Sequence, residues 1–312
     1  MSRLGRMLHL RVVCSAHHTD AVLALLRADL GIAHLVVTRE VAVQPPGDVV
    51  EAAVARESAE HVLDQLTDLG VARTGEISLT GIDTLESETA EAVERAAPGD
   101  AADAVIWEEL VTTTGEESRL NGVFLAFLVL SCLLAAVGVL ADSAITLVGA
   151  MVVSPDFGPL AALAVAAVGK RRSLAGSAGL ALGVGYPVAI LVTVLGAALA
   201  RLVGLFDPTE LDHLGRAAFV YHVGPYSVII SLLAGAAGML ALTSDKSGAL
   251  IGVFISVTTV PAAGFAALAA VAGHWTQCGE AFLQLAVNLS GITLAAVLTL
   301  FLRREHVLPR AH

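Results

Sequence analysis

The sequence is poor in the groups that most protein chemistry uses. Aromatic residues make up 4% of the 312 residues, and only three cysteines occur, Cys14, Cys132 and Cys278. Cys14 falls in a charged region, Cys132 within an apolar run and Cys278 at the edge of another, so no two are placed to bond within one chain. All three read as free thiols. A phosphate-binding glycine loop, a metal-ligand cluster, a carboxylate pair and an activated nucleophile are all missing at any convincing spacing, which argues against an enzyme and against a cofactor. No metal is assigned. The first 20 residues carry Arg3, Arg6 and Arg11 where a secretory signal would have an apolar core, so the N-terminal region is expected to stay on the cytoplasmic side.

Charge itself becomes scarce after residue 121. Residues 1–121 hold 9 of the 18 Lys+Arg and 21 of the 29 Asp+Glu, a net charge of −12, and the remainder carries +1. The acidic part is expected to be soluble and the rest to lie in lipid, because a bilayer core about 30 Å thick calls for helices of about 20 apolar residues. Six such spans are expected near 122–141, 144–168, 174–200, 219–242, 248–272 and 280–302. With the N-terminus inside, the inner loops receive Arg119, Lys170, Arg171, Arg172, Lys246, Arg303, Arg304 and Arg310, and the outer loops only Arg201 and Arg216. That asymmetry satisfies the positive-inside rule. The reading is a multi-pass protein of the cell inner (plasma) membrane with both termini cytoplasmic.

The soluble part has its own periodicity. Leu8 to Cys14, Ala33 to Val43, Val49 to Ala55 and Glu76 to Leu79 read as strands, with helices at Asp20–Leu30 and from a Ser58 cap to Leu69, where Gly70 stops the chain. The order βαββαβ points to an α+β ferredoxin-like sandwich, serving assembly or ligand sensing. The expected organisation is a ferredoxin-like cytoplasmic domain over 1–84, a charged helical connector over 85–120, a six-span α-helical membrane bundle over 121–303 and a cytoplasmic tail over 304–312.

The membrane part reads twice. Leu147–Val168 aligns without a gap on Leu250–Val271 at a constant offset of 103, with Leu147/Leu250, Gly149/Gly252, Ala164/Ala267, Ala166/Ala269, Ala167/Ala270 and Val168/Val271 identical. The offset carries three spans onto three, and an odd unit reverses direction, so the expectation is two inverted repeats, 121–200 and 224–303, with broken second and fifth helices. Pro155, Pro159 and Pro261 break those helices and free backbone carbonyls near mid-span. Ser154, Thr258 and Thr259 supply hydroxyls at the breaks, and Asp156 is the one formal charge deep in any span. An intramembrane carboxylate is costly unless protonated, paired or wet, so Asp156 reads as a cation or proton site, or as a helix-end acid at a re-entrant break. Gln284 and Asn288 share a helix face and read as interhelical glue, with Asn288 a further candidate ligand. Tyr186-Pro187 reads as a kink, and Gly176, Gly179, Gly183, Gly235 and Gly238 as points of close helix approach, within a compact bundle or at an oligomer interface.

Gly149-Ala150-Met151-Val152-Val153-Ser154-Pro155 through Gly158-Pro159, then Ser231 to Gly238, Gly252-Val253 through Val260-Pro261, and Asn288-Leu289 resemble the prokaryotic hydrophobic membrane family filed as domain of unknown function 389. The resemblance covers roughly residues 118 to 302. It departs from the family pattern at Asp156, usually apolar, and near Pro261, where two prolines usually adjoin. It implies no activity, substrate or cofactor. The expected function is an integral membrane transporter or channel-like protein for a small ion or polar solute, coupled to Na+ or H+, with its site at Ser154, Pro155, Asp156, Pro159, Thr258, Thr259, Pro261 and Asn288. The alternative is a non-transporting membrane sensor or scaffold whose cytoplasmic domain binds a ligand or partner. Expected partners are the lipid bilayer and other copies of the chain in a homo-oligomer, with no nucleic acid.

Overall fold

A computed structural model describes residues 7–82, 85–97, 107–213, 224–244 and 259–307. The chain divides into two compact units, Met1–Trp107 and Glu108–His312.

The first unit contains β1 (Met7–Cys14), α1 (Ala16–Ala28), β2 (Ile32–Val43), β3 (Pro46–Ala55), α2 (Arg56–Asp68), the single turn α3 (Val71–Thr74), β4 (Glu76–Gly81) and α4 (Glu88–Ala96). The strands form one antiparallel sheet in the order β2-β3-β1-β4. Alternation along β1 turns Leu8, Leu10, Val12 and Cys14 to one face, where they pack with Val22 and Leu26 of α1 and Val62 and Leu66 of α2. The opposite face, with Met7, Ala33, Ala53 and Ala55, is covered by Ala90 and Val93 of α4. Ser87 caps α4 by accepting the Ala90 N–H at 3.2 Å. Ser58 does not cap α2. That helix starts two residues earlier, at Arg56, and Ser58 is buried against Gly31, where any Cβ would lie 2.1 Å from its hydroxyl oxygen. Gly70 ends α2 with φ +78°, a conformation that favours glycine.

The second unit holds α5 (Trp107–Glu117), α6 (Gly122–Leu140), α7 (Ala144–Val153), α8 (Phe157–Gly169), α9 (Arg172–Leu202), a 3-10 turn (Pro208–His213), α10 (Pro225–Leu242), α11 (Thr259–Ala272) and α12 (Trp275–Val307). Among the described residues, α6, α9, α10 and α12 are each long and apolar enough to cross a bilayer, and α7 with α8 makes a fifth candidate span bent by 51°. The expected span over 248–272 is described only from Thr259 onward, as the short apolar helix α11. The outer faces carry exposed Leu191, Leu195 and Leu199 on α9 and Leu294, Leu298 and Phe301 on α12. Such stripes suit lipid, and this unit is that of a membrane protein.

Packing places α11 at the centre, against α6, α9 and α12, with α8 on α9 and α12, and α10 on α12. Main chain approaches main chain where α10 crosses α12, since a Cβ on Gly235 would lie 2.3 Å from the Ile292 carbonyl oxygen, and where α11 meets α6, since a Cβ on Gly264 would lie 3.0 Å from the Cys132 carbonyl oxygen. Beside the first of these, a Cβ on Gly291 would lie 2.2 Å from Ser231 Oγ. Within the chain, nothing described stands within 4 Å of a Cβ at Gly176, Gly179 or Gly183, so these three make no close helix approach inside the bundle. Helix α5 lies along α8 in the opposite direction: near its start Glu108 pairs with Arg171, and at its end Glu117 abuts Gly158. At the other end of α9, Arg201 Nη1 donates to the Val271 carbonyl at 2.6 Å, satisfying a late carbonyl of α11.

Candidate functional site

The break in the second span has a local cause. Pro155 disfavours helical geometry in the residue before it, and Ser154 is accordingly extended, with φ −67° and ψ 131°, which ends α7 at Val153. The chain restarts as a helix at Phe157, with Asp156 in the capping position. Pro159 does not open a second break. It is the third residue of α8, where a backbone N–H has no intrahelical acceptor, so its absence costs the helix nothing. The second span thus has a single break, at residues 154–156.

Asp156 is 4% exposed and its carboxylate is ringed by hydroxyls. Ser154 Oγ donates to Oδ1 at 2.7 Å, from the break itself. Tyr186 donates to Oδ2 at 2.7 Å from α9, and Thr259 Oγ1 donates to the same oxygen at 2.5 Å from the first residue of α11. All three donors are buried. Among the described residues no basic side chain pairs with Asp156. A carboxylate offers about four lone-pair sites, so three neutral donors satisfy its hydrogen bonding without neutralising its charge. An uncompensated charge in a low-dielectric interior is the condition that draws a proton or a cation.

The structure thus gathers Ser154, Asp156 and Thr259 from the expected residues. Pro155 shapes the break, and Pro261 is buried in the described first turn of α11. Thr258 lies outside the described residues. Asn288 is buried on α12 and is not among the hydroxyls on Asp156; its Oδ1 accepts from Gln284 Nε2 at 3.4 Å. Among the described residues Gln284 Oε1 is buried without a hydrogen-bond partner. Tyr186 was not expected at the site. The signal was available: Asp156 stands 13 residues before the end of α8 at Gly169, and Tyr186 14 residues after the start of α9 at Arg172, so the two are level in the α8–α9 hairpin.

Elsewhere the titratable groups serve local structure. Asp48 is 1% exposed and accepts from Thr19 Oγ1 at 2.7 Å and from the Glu40 N–H at 2.8 Å, and these bonds, the Thr19 hydroxyl first, hold its carboxyl below the ordinary value. Desolvation raises the Cys14 thiol above its ordinary value, and its sulfur lies 3.7 Å from Thr19 Oγ1. Among the described residues no group of three His, Cys, Asp or Glu side chains is placed to hold a metal ion.

A family model described as "Domain of unknown function (DUF389)" matches residues 151–294. Over that segment the chain is similar to this family. The segment contains all four members of the hydroxyl–carboxylate cluster, together with Gln284 and Asn288, whereas the sheet of the first unit lies outside it. An uncharacterized protein of Methanocaldococcus jannaschii is 27% identical over 193 residues, covering 62% of this chain. The match spans 58% of that relative's own length. No solved structure matches.

Proposed function

We propose that this chain is an integral membrane transporter or channel-like protein for a small ion or polar solute, with Asp156 as the group that meets the ion. The observation that carries the reading is the buried carboxylate held by three hydroxyls from separate elements and by no described basic group. A purely structural site would gain from a cation partner or from an apolar residue, since an unpaired buried charge is destabilising on its own. Such a site is retained where ions come and go.

Two inverted three-span repeats are the architecture we infer around it, supported by the pattern of packing. In each half the third helix packs on the first and on the second: α9 on α6 and α8, α12 on α10 and α11. Across the halves, α8 packs on α12 and α11 on α9, each the second of one half against the third of the other. The orientation that fits places both termini in the cytoplasm of a cell whose inner membrane holds the protein, as the loop charges favour. Rocking of one half against the other about Asp156 and Thr259 is then the route to alternating access.

A second reading, a membrane sensor or scaffold that assembles as a homo-oligomer, is favoured by the edge strand β2 of the ferredoxin-like sheet. That strand exposes Val36, Val41 and Val43. Reconstitution of the full chain in liposomes with imposed Na+ or H+ gradients separates the two. Transport predicts gradient-driven flux that Asp156→Asn removes. Absence of flux, with oligomerisation intact and lost on charging Val41 and Val43, favours the scaffold.

A further inference from the structure

Asp156 commits neither oxygen to the helix it precedes, since its side chain makes no capping bond to α8. Both oxygens serve the hydroxyls instead, and they do so unequally. Oδ2 accepts from Tyr186 at 2.7 Å and from Thr259 at 2.5 Å, whereas among the described residues Oδ1 accepts from Ser154 alone, at 2.7 Å. Two bonds on one oxygen and one on the other is what a neutral carboxyl requires, because its carbonyl oxygen accepts two hydrogen bonds and its O–H donates one.

The spacing suits a proton and not a metal ion. Oxygens of separate ligands around an ion of sodium or calcium size lie about 2.3–2.6 Å from it, and with six or more of them neighbouring ligands stand about 3 Å or more apart. The three hydroxyls stand 2.5–2.7 Å from the carboxylate oxygens, which are hydrogen-bond distances, and a carboxylate can only accept, so each hydroxyl hydrogen is directed at it. A metal ion would have to break all three bonds and turn every hydroxyl around. A proton needs one change. When it adds to Oδ1, Ser154 Oγ turns from donor to acceptor, which a hydroxyl can do without moving its oxygen. The Ser154 hydrogen then has acceptors at hand, because Ser154 ends α7 and the last carbonyls of a helix lack donors within it. Tyr186 and Thr259 keep their bonds to Oδ2.

We propose that the ion met by Asp156 is a proton, carried on Oδ1. The proposal rests on the reading of Asp156 as the ion-meeting group and names the ion. A proton taken from water on one side of the membrane forms the O–H bond at Oδ1 and turns the carboxylate into a neutral carboxyl; breaking that bond returns the proton to water and restores the charge. Among the described residues, the titratable groups that interact with Asp156 from other helices are Tyr186 of α9 and Cys132 of α6, a phenol and a thiol, which ordinarily stay neutral at pH 7. Helix α11 contains no titratable residue, and those of α12 with described side chains, Cys278, Glu280 and Arg303, lie toward its two ends. On α5 the exposed Glu117 abuts Gly158, two residues after Asp156. The charge that switches inside the cluster is that of Asp156.

The test is infrared spectroscopy of the full chain in nanodiscs across a pH titration, with Asp156→Asn as the difference reference. Wild type shows a buried carboxyl C=O band that Asp156→Asn lacks and Glu117→Gln keeps. Thr259→Val and Tyr186→Phe each shift the band to higher frequency, because Oδ2 loses a donor, and Ser154→Ala shifts it least. The midpoint of its titration is the same in choline, Na+, K+, Mg2+ and Ca2+. A midpoint that falls, by up to about one pH unit for each tenfold rise in any one metal, means that the metal competes for the carboxylate and overturns the proposal. A band that Ser154→Ala shifts most overturns the assignment to Oδ1. If Asp156→Asn does not fold, wild type and the hydroxyl variants decide: no titrating band that responds to Thr259→Val or Tyr186→Phe sinks the proton site. Metal-independent protonation without proton flux in liposomes removes the transport reading and leaves the proton site. Na+-driven flux that Asp156→Asn abolishes, with a Na+-dependent midpoint, does the reverse.

Discussion

Thr259 Oγ1 donates to Asp156 Oδ2 at 2.5 Å, and the two residues stand at the same position of the two matching apolar runs, 103 residues apart. In the inverted-repeat architecture proposed above, residues related by the internal twofold touch only where they lie close to its axis. The hydrogen bond therefore marks the place where two similar halves of the chain stop being alike, one contributing an acid and the other a hydroxyl.

Thr259→Val keeps the side-chain shape and removes the donor. Hydrogen bonds to charged groups contribute about 1.5–3 kcal/mol, so unfolding of the full chain in detergent is expected to become easier by that amount. Thr259→Ser is expected to recover most of the loss. Equal stability of the Val and Thr forms would show that the hydroxyl does not bond an ionised carboxylate.

Tyr186→Phe is expected to cost a similar amount, but the two losses should not add. Both hydroxyls serve Oδ2, and removing either lets the other bond adjust. A double-mutant cycle with Thr259→Val is expected to give a coupling of about 0.5–3 kcal/mol, the range for residues in one hydrogen-bond network. Strict additivity would mean that the two donors act on separate groups.

Gly158→Ala is expected to displace α5 from α8. A Cβ there would come 2.6 Å from Glu117 Cβ and 2.9 Å from Glu117 Oε2, and the first of these atoms belongs to the rigid stem of the side chain. Overpacking of this kind typically costs about 1–3 kcal/mol. Proteolysis within 107–117 should accelerate, and Glu117→Gly in the same chain should reverse part of the effect. Unchanged cleavage would refute the packing of α5 on α8.

Two carboxyls give opposite pH limbs. Asp48 is held below its ordinary value of 3.8, chiefly by Thr19, so its stabilisation is complete above the unfolded carboxyl range and is lost as pH falls through the lower folded value. Protection of the β2–β3 amides against hydrogen exchange is expected to drop in acid, and Asp48→Asn to weaken that dependence. Glu117 is raised above its ordinary 4.5 by desolvation, so its contribution is full below that value and is lost as pH rises through the folded one. Glu117→Gln should flatten the alkaline side of a melting curve series on the full chain; a parallel shift at every pH would refute the assignment.

Much of this was legible in residue patterns. The strands of the first unit follow period-two alternation, and the charge-free runs anticipate α6, α9, α10 and α12 because lipid tolerates little else. Asp156 and Thr259 could be matched from the offset alone. Tyr186 escaped notice because its role is set by level in a hairpin and not by a motif, and because the adjoining Pro187 invited a reading in terms of bending, although α9 runs from Arg172 to Leu202 as one helix. Pro159 misled for a related reason. A proline's effect depends on its place within the helix, and nothing in composition says that the helix begins at Phe157. The tyrosine, not the second proline, was the residue to watch.

The crossing of α10 and α12 carries a consequence for how the protein can move. Where Gly235 meets the Ile292 main chain and Gly291 meets Ser231, the two helices touch too closely to slide, since movement along the contact would drive backbone into backbone. These two helices form a strut. Any motion that opens the Asp156 cluster must carry the strut whole, so the compliant joints lie at its ends and around the bent α7–α8 pair.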